Sequence, residues 1–396
     1  MKDNRERLPM DISEVVNIVF FLTIIIPILT VTVYGIIILY YGAQAKKSKK
    51  IRDDEIKYPD VTILIPSYNE EKVMEKRIQN ILDYDYPKNK IKVIFIDDST
   101  DSTPQIIQKY VDDNPNFELI RLGQRSGYSK AVFSGLAKVQ TDIVVLNEAG
   151  SFPLSGTLKN QMKKFEDPEI GAVTGHSVIL NKDEKTGKIE SLYLDIINFV
   201  RTAESEMDTT IFIKGEATAY RTQLVKEIDA IDDTGSLDTS MAFMVRKKGY
   251  KTVYGSDVIF EEYAPSDDHG FRKQKMVRAA NIMRNLLIYK EMLLNPKYGN
   301  FGMVSMPFYL MMFYVIPILL PLSIVTLLIG LAMNWSLYKY ILGIGLALGF
   351  ILLLVSRNLL KLLIELEISI LKAIYQIFVS KKSHDKIERV ESTRRT

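Results

Sequence analysis

No charged residue falls between Val15 and Ala45, none between Tyr298 and Tyr338, and none between Tyr340 and Ser356. The first two runs far exceed the roughly 20 apolar residues with which an α-helix crosses a bilayer, and the third reaches that length by continuing to Ile364 through Arg357 and Lys361. A chain of this kind is built around a membrane. Spans are expected over 15–45, 303–332 and 338–364, the last two joined by a short turn near Asn334 to Lys339. Pro307, Pro317 and Pro321 either kink the second span or mark a helix lying in the interface ahead of it. A signal peptide does not explain the first run, which is too long and is followed by no clear small-residue cleavage site.

Ile364, Ile368, Leu371, Tyr375 and Phe378 share one helical face while Glu365, Lys372 and Gln376 share another. That pattern describes a helix lying on the membrane, and residues 365–396 are read as this helix with a basic tail. Lys46, Lys47, Lys49, Lys50 and Arg52 follow the first span, and Lys381, Lys382, Lys386, Arg389, Arg394 and Arg395 close the chain. Lysine and arginine mark the cytoplasmic flank. The region from about 50 to 300 is therefore expected inside the cell and the N-terminal segment 1–14 outside, with Arg5 and Arg7 as the exception. A net charge of +3 gives no reason to expect nucleic acid, and the basic runs suit anionic lipid headgroups. Cysteine is absent, which excludes disulfides, thiolate catalysis and Cys-ligated zinc, and His176, His269 and His384 show no ligand spacing.

Between the membrane segments, strand and helix patterns alternate. Strands are expected at Val61 to Ile65, Ile91 to Ile96, Phe117 to Arg121 and Ile143 to Leu146, with helices through Lys72 to Leu82, Pro104 to Val111 and Ser129 to Lys138. This succession predicts an α/β domain over 50–270 with a mainly parallel, Rossmann-like sheet. No Gly-x-Gly-x-x-Gly follows a strand, so a dinucleotide-binding domain is not expected. The first two strands each run into a polar cluster, Pro66-Ser67-Tyr68-Asn69-Glu70-Glu71 after one and Asp97-Asp98-Ser99-Thr100-Asp101-Ser102-Thr103 after the other. Parallel strands deliver their carboxyl ends to one edge, where ligands bind. The same residues could instead cap the helices that come next, Ser67 or Asn69 the first and Asp97 or Ser99 the second.

These two clusters resemble the inverting family 2 glycosyltransferases, with their Pro-x-Tyr-Asn-Glu and Asp-Asp-Ser-x-Asp-x-Thr strand ends. The resemblance implies a GT-A domain flanked by transmembrane and interfacial helices, as in a minimal cellulose or hyaluronan synthase. It also implies that Pro66, Tyr68, Glu70, Asp97 and Asp98 grip the base and ribose of a UDP- or GDP-sugar. Where the family places Asp-x-Asp, this chain has Glu148-Ala149-Gly150. Glu148 is thus the candidate ligand for Mg²⁺ or Mn²⁺ and the donor, and Gly150 removes the second carboxylate. Gly215, opening Gly215-Glu216-Ala217, resembles the segment near the donor sugar. Ser236-Leu237-Asp238, followed by Gly249-Tyr250, resembles the tripeptide that ends in the catalytic base, so Asp238 takes that role, with Asp232 and Asp233 nearby as substitutes. An inverting transfer needs such a carboxylate to take the acceptor hydroxyl proton.

Over 271–295 an interfacial helix is expected to carry the counterpart of Gln-x-x-Arg-Trp. Gln274, Lys275 and Arg278 fall there in one register or the next, and neither supplies the tryptophan. Arg278 is expected at the donor, and all three at a diphosphate or the acceptor. The resemblance implies transfer of a single sugar to a membrane-held acceptor, such as a polyprenyl or dolichol (di)phosphate-linked glycan. A processive polysaccharide synthase and a non-catalytic sugar-nucleotide-binding scaffold are the alternatives.

Overall fold

The computed structural model describes residues 11–45, 57–123, 125–226, 237–265 and 267–380. The basic runs 46–52 and 381–395, Arg5, Arg7, His384, Asp232, Asp233 and Ser236 lie outside the described residues.

An eight-stranded sheet forms the centre, from β1 (Val61–Ser67), β2 (Ile91–Asp97), β3 (Phe117–Arg121), β4 (Ile143–Asn147), β5 (Phe152–Pro153), β6 (Ile170–Ile179), β7 (Ala217–Arg221) and β8 (Lys251–Glu262). Their order is β3-β2-β1-β4-β7-β6-β8-β5. β3, β2, β1 and β4 run parallel, as do β6 and β8, while β7 and β5 run against their neighbours. The inner strands read as mainly apolar runs because both faces are covered. Successive side chains alternate between those faces. Ile63, Ile65, Val93, Phe95 and Val145 pack on Met74 and Ile78 of the helix Glu71–Leu82. Leu64, Ile94, Ile96, Val144 and Leu146 pack on Val132 and Leu136 of the helix Tyr128–Leu136, with Met241 and Val245 from the helix Leu237–Lys247.

Strand direction places the site. β1, β2 and β4 end at one edge, with Ser67 beside Asp97 and Leu64 beside Leu146. Because β7 is antiparallel to β4, pairing Asn147 with Ala217, its first residues lie at that same edge.

Among the described residues three helices are long and apolar enough to cross a membrane: Ile12–Ala45, Phe301–Met333 and Trp335–Val355. The second contains wide π-helical turns over Phe301–Ser305 and Met311–Val315, each ending just before a proline, Pro307 and Pro317. The wide turns accommodate rings that an ideal helix would exclude. The third ends earlier than the expected 364. Ser356 leaves helical geometry and its Oγ accepts from the Leu359 N–H at 3.1 Å, capping a separate helix Arg357–Tyr375 that takes Arg357 and Lys361. Leu362, Glu365, Ser369 and Ala373 face inward, Glu365 meeting Arg272 at 2.5 and 2.8 Å, while Ile364, Ile368, Tyr375 and Phe378 face outward. Beside three helices long and apolar enough to cross a membrane, such an exposed apolar face is one that a bilayer surface would cover. The interfacial helix expected from 271 begins earlier, at Asp268, where the Asp267 carboxylate accepts from the Gly270 N–H at 2.6 Å, and it ends at Ile288.

One carboxylate joins the membrane helices to the sheet domain. Glu204, near the end of the helix Lys185–Met207, is fully buried and accepts from Tyr34 of the first span at 2.5 Å, Thr210 at 2.7 Å and Tyr309 of the second span. The Tyr34 ring stacks on Phe308 with centroids 3.5 Å apart.

Candidate active site

The ends of β1, β2 and β4 wall an open cleft lined by Pro66, Ser67, Tyr68, Glu70, Asp98, Glu148 and Ala149. Its far wall is the segment after β3, carrying Arg125, Gly127 and Tyr128. The first two strand-end clusters are laced together. Asn69, held at φ 56°, accepts from the Thr100 N–H at 2.9 Å, its own N–H donates to Ser99 Oγ at 2.8 Å, and the Glu70 N–H donates to Thr103 Oγ1 at 2.8 Å. Glu71 accepts from the Ser102 N–H at 3.1 Å. These polar residues therefore cross-link two loops. The first-turn N–H groups of the two following helices, those of Glu71 and Thr103, donate to the Asp101 carboxylate at 3.3 and 3.0 Å, so Asp101 caps them and not Ser67, Asn69, Asp97 or Ser99, for which capping roles were weighed.

The adjacent aspartates separate. Asp97 is fully buried, accepting from Ser67 Oγ at 2.9 Å and Ser99 Oγ at 2.6 Å, with Arg121 at 3.4 Å. It braces the loop and does not line the cleft, a correction to its expected place beside the base. Asp98 faces the cleft and accepts from the Ser126 N–H at 2.7 Å, which draws the segment after β3 across the opening. Gly127, at φ 85°, makes the turn, and the Arg125 guanidinium lies over the Tyr68 ring, 4.8 Å from its centroid.

Gly215 and Asp238, distant in sequence, meet at the edge beyond Tyr128. A Cβ on Gly215 would lie 2.6 and 2.7 Å from the two Asp238 carboxylate oxygens, so only glycine allows this approach. The Tyr128 hydroxyl is 3.4 Å from Asp238 Oδ1, linking the carboxylate to the cleft wall.

The helix Asp268–Ile288 closes this side. Arg278 lies 3.7 Å from Glu216, the neighbour of Gly215, and 3.6 Å from Glu190. Lys275 does not reach the cleft. It is buried against Glu190 at 2.6 Å and beneath the Tyr193 ring at 3.5 Å, a second correction, because the helical turn that presents Arg278 to Glu216 directs Lys275 into the interior. Burial pushes the Lys275 ammonium below its usual range, with Glu190 opposing. Burial would raise the Glu190 carboxyl, but Lys275, then Arg278 and Lys214, outweigh it and hold it low. Gln274 is half-buried, and its Oε1 makes no hydrogen bond among the described residues.

Among the described residues no three His, Asp or Glu side chains converge as a metal cage. Glu148 stands on the cleft wall, and an ion that takes its other ligands from diphosphate oxygens and water needs only one or two carboxylates. The donor set thus fits an ion arriving with its phosphate ligand.

The sequence profile described as Glycosyl transferase family 2 matches residues 62–229, and that described as Glycosyl transferase family group 2 matches residues 155–354, half of the chain. The chain belongs to glycosyltransferase family 2. This glycosyltransferase is 26% identical over 305 residues to the poly-β-1,6-N-acetyl-D-glucosamine synthase of Staphylococcus aureus, covering 75% of this chain and 71% of that one. It is 23% identical over 253 residues to the synthase of the same name from Staphylococcus epidermidis, covering 62% and 61%. In fold it is similar to a mannosyltransferase from Pyrobaculum calidifontis solved with GDP-mannose and Mn²⁺ (TM-score 0.70, 24% identity, 92% of this chain and all of that one).

Sequence reasoning passed over Arg125, Ser126 and Tyr128 of the glycosyltransferase. The signal was present: Gly123 and Gly127 punctuate the end of a third parallel strand, and a third strand end delivers to the same edge. Glu190 and Lys214 had no comparable signal, because their partners come from other elements.

Proposed function

We propose that this enzyme is an inverting transferase that moves one sugar from a UDP- or GDP-sugar to a membrane-held acceptor, a polyprenyl or dolichol (di)phosphate-linked glycan, at the cytoplasmic face. The observation that carries the reading is the meeting of Gly215 and Asp238 beside the cleft at the strand ends. In this reading Tyr68 and the Arg125 stacked on it hold the base, and Glu70 and Asp98 accept hydrogen bonds from base and ribose. The Gly215 backbone lets the donor sugar lie close to Asp238. Asp238 takes the proton of the acceptor hydroxyl as that oxygen bonds the anomeric carbon, and the bond to the diphosphate breaks on the opposite side. Arg278 and Gln274 face the diphosphate or the acceptor from the interfacial helix. A divalent ion held by Glu148 would offset charge on the leaving diphosphate. The outward apolar face of the helix Arg357–Tyr375 and the three spans support a site at the bilayer surface.

The relatives named as polymer synthases favour a second reading, processive synthesis. Against it, the helix Asp268–Ile288 carries no tryptophan, and Trp335, the only one in the chain, lies at the start of the third span.

The deciding experiment offers a panel of radiolabelled UDP- and GDP-sugars to extracted polyprenyl-linked glycans, comparing wild type with D238N. We expect one sugar added per acceptor and a loss of at least about a thousandfold in D238N, on the scale of a missing catalytic base. EDTA should suppress transfer and added Mn²⁺ or Mg²⁺ restore it, with G150D lowering the metal concentration required. A ladder of long products would favour the synthase, and nucleotide binding without transfer would favour a scaffold.

A further inference from the structure

Arg77 is the largest fully buried side chain of the described residues, at 0% exposure on the helix Glu71–Leu82. Among those residues no carboxylate pairs with it. Its Nη1 donates to Asn80 Oδ1 at 2.5 Å, and its Nη2 donates to the Tyr84 hydroxyl at 3.1 Å and to Asn147 Oδ1 at 3.0 Å. A buried cation satisfied only by neutral oxygens is costly to keep, so what it holds in place needs an explanation.

It holds Asn147, the last residue of β4 and the residue before Glu148. Asn147 is 2% exposed, and its Nδ2 donates to the Glu216 carbonyl at 2.7 Å. A guanidinium can only donate, so Oδ1 must face Arg77 and Nδ2 must face the carbonyl. The arginine thereby sets the sense of the amide. The carbonyl that it clamps belongs to the residue after Gly215, whose Cα lies against the Asp238 carboxylate. The clamp has further members: Gln161 Nε2 donates to the Ala217 carbonyl at 3.1 Å, and Thr218 Oγ1 donates to the Lys214 carbonyl at 2.5 Å.

We propose that Arg77 is a positioning residue for sugar transfer, acting through Asn147 to hold the Gly215-Glu216 backbone against Asp238. The inference rests on reading Asp238 as the base.

The test uses the full chain in detergent with N147D, R77M, N147L and R77M/N147L, and with D238N as the control. N147D keeps an acceptor for Arg77 but has no donor for the Glu216 carbonyl. It should melt within about 4 °C of wild type. Its kcat at saturating donor, read as nucleoside diphosphate released in the presence of extracted membrane lipids, should fall about tenfold to a hundredfold. R77M and N147L should each lower kcat, and the double variant should be no slower than N147L alone, as expected of residues acting in series. Independently of turnover, hydrogen exchange over residues 214–218 should quicken at least about tenfold in N147D and R77M, with the rest of the sheet unchanged. Wild-type kcat in N147D, losses that multiply, or unchanged exchange over 214–218 would each overturn the proposal. If D238N retains transfer, the reading of the base fails, while the exchange measurement still decides the positioning. If R77M does not fold, N147D decides alone.

Discussion

At the scale of single residues, Gly215 shows how little room the site leaves. A methyl group there would stand 2.6 Å from a carboxylate oxygen of Asp238, and the carboxylate can turn aside more easily than the sheet can move. G215A should therefore lower kcat by about tenfold to a hundredfold through misplacement of the proposed base. Its stability should change by less than about 1 kcal/mol, checked by melting beside turnover. The strand-end residues were legible in the sequence because β1 and β2 read as mainly apolar runs that each stop at a polar cluster, and β4 as an apolar run that stops at Asn147-Glu148. Which neighbour faces the ligand was not. Asp97 and Asp98 are chemically identical and adjacent, and only the partners Ser67, Ser99 and Arg121, two of them from other strands, decide that the first turns inward. Lys275 and Arg278 differ in the same way, one helical turn separating an interior cation from one beside Glu216.

At the scale of elements, ion pairs between segments fix contacts that helix and strand patterns cannot reveal. Lys214, just before β7, pairs with Glu262 at the end of β8, and both are largely buried. Burial alone would raise the Glu262 carboxyl, but Lys214, with Arg278 and the Ser177 hydroxyl, outweighs it and holds it well below the usual range. A carboxyl lowered in the folded state contributes stability that is fully present above its unfolded value and is lost as pH falls. Acid melting curves should therefore show this contribution disappearing below about pH 4, and E262Q should flatten that part of the profile. At neutral pH the same variant should cost about 3 kcal/mol, because it leaves Lys214 buried without its anion. The break at Ser356 was equally hidden. Hydropathy carries on to Ile364, and only the cap on the Leu359 N–H separates the last span from the helix at the surface.

At the scale of the whole molecule, the sheet domain and the long apolar helices are tied through Glu204, which takes hydrogen bonds from Tyr34 and Tyr309 on two of them. Burial raises the Glu204 carboxyl, while the hydroxyls of Tyr309, Tyr34 and Thr210 pull it back down. Replacing both tyrosines by phenylalanine should lower the melting temperature by several degrees, since a buried carboxylate loses two donors. The spans and the basic flanks were visible in composition; this tie was not, since its residues lie in three separate stretches of the chain. Directional bonds at such a joint fix distance as well as attachment. In the proposed function such a joint would hold Asp238 at a set height over the bilayer, and a membrane-held acceptor would be measured as by a ruler. Substrates differing only in the spacer between lipid and reacting hydroxyl should be sorted by length, with a sharp optimum in kcat/KM that broadens once the two tyrosines are replaced.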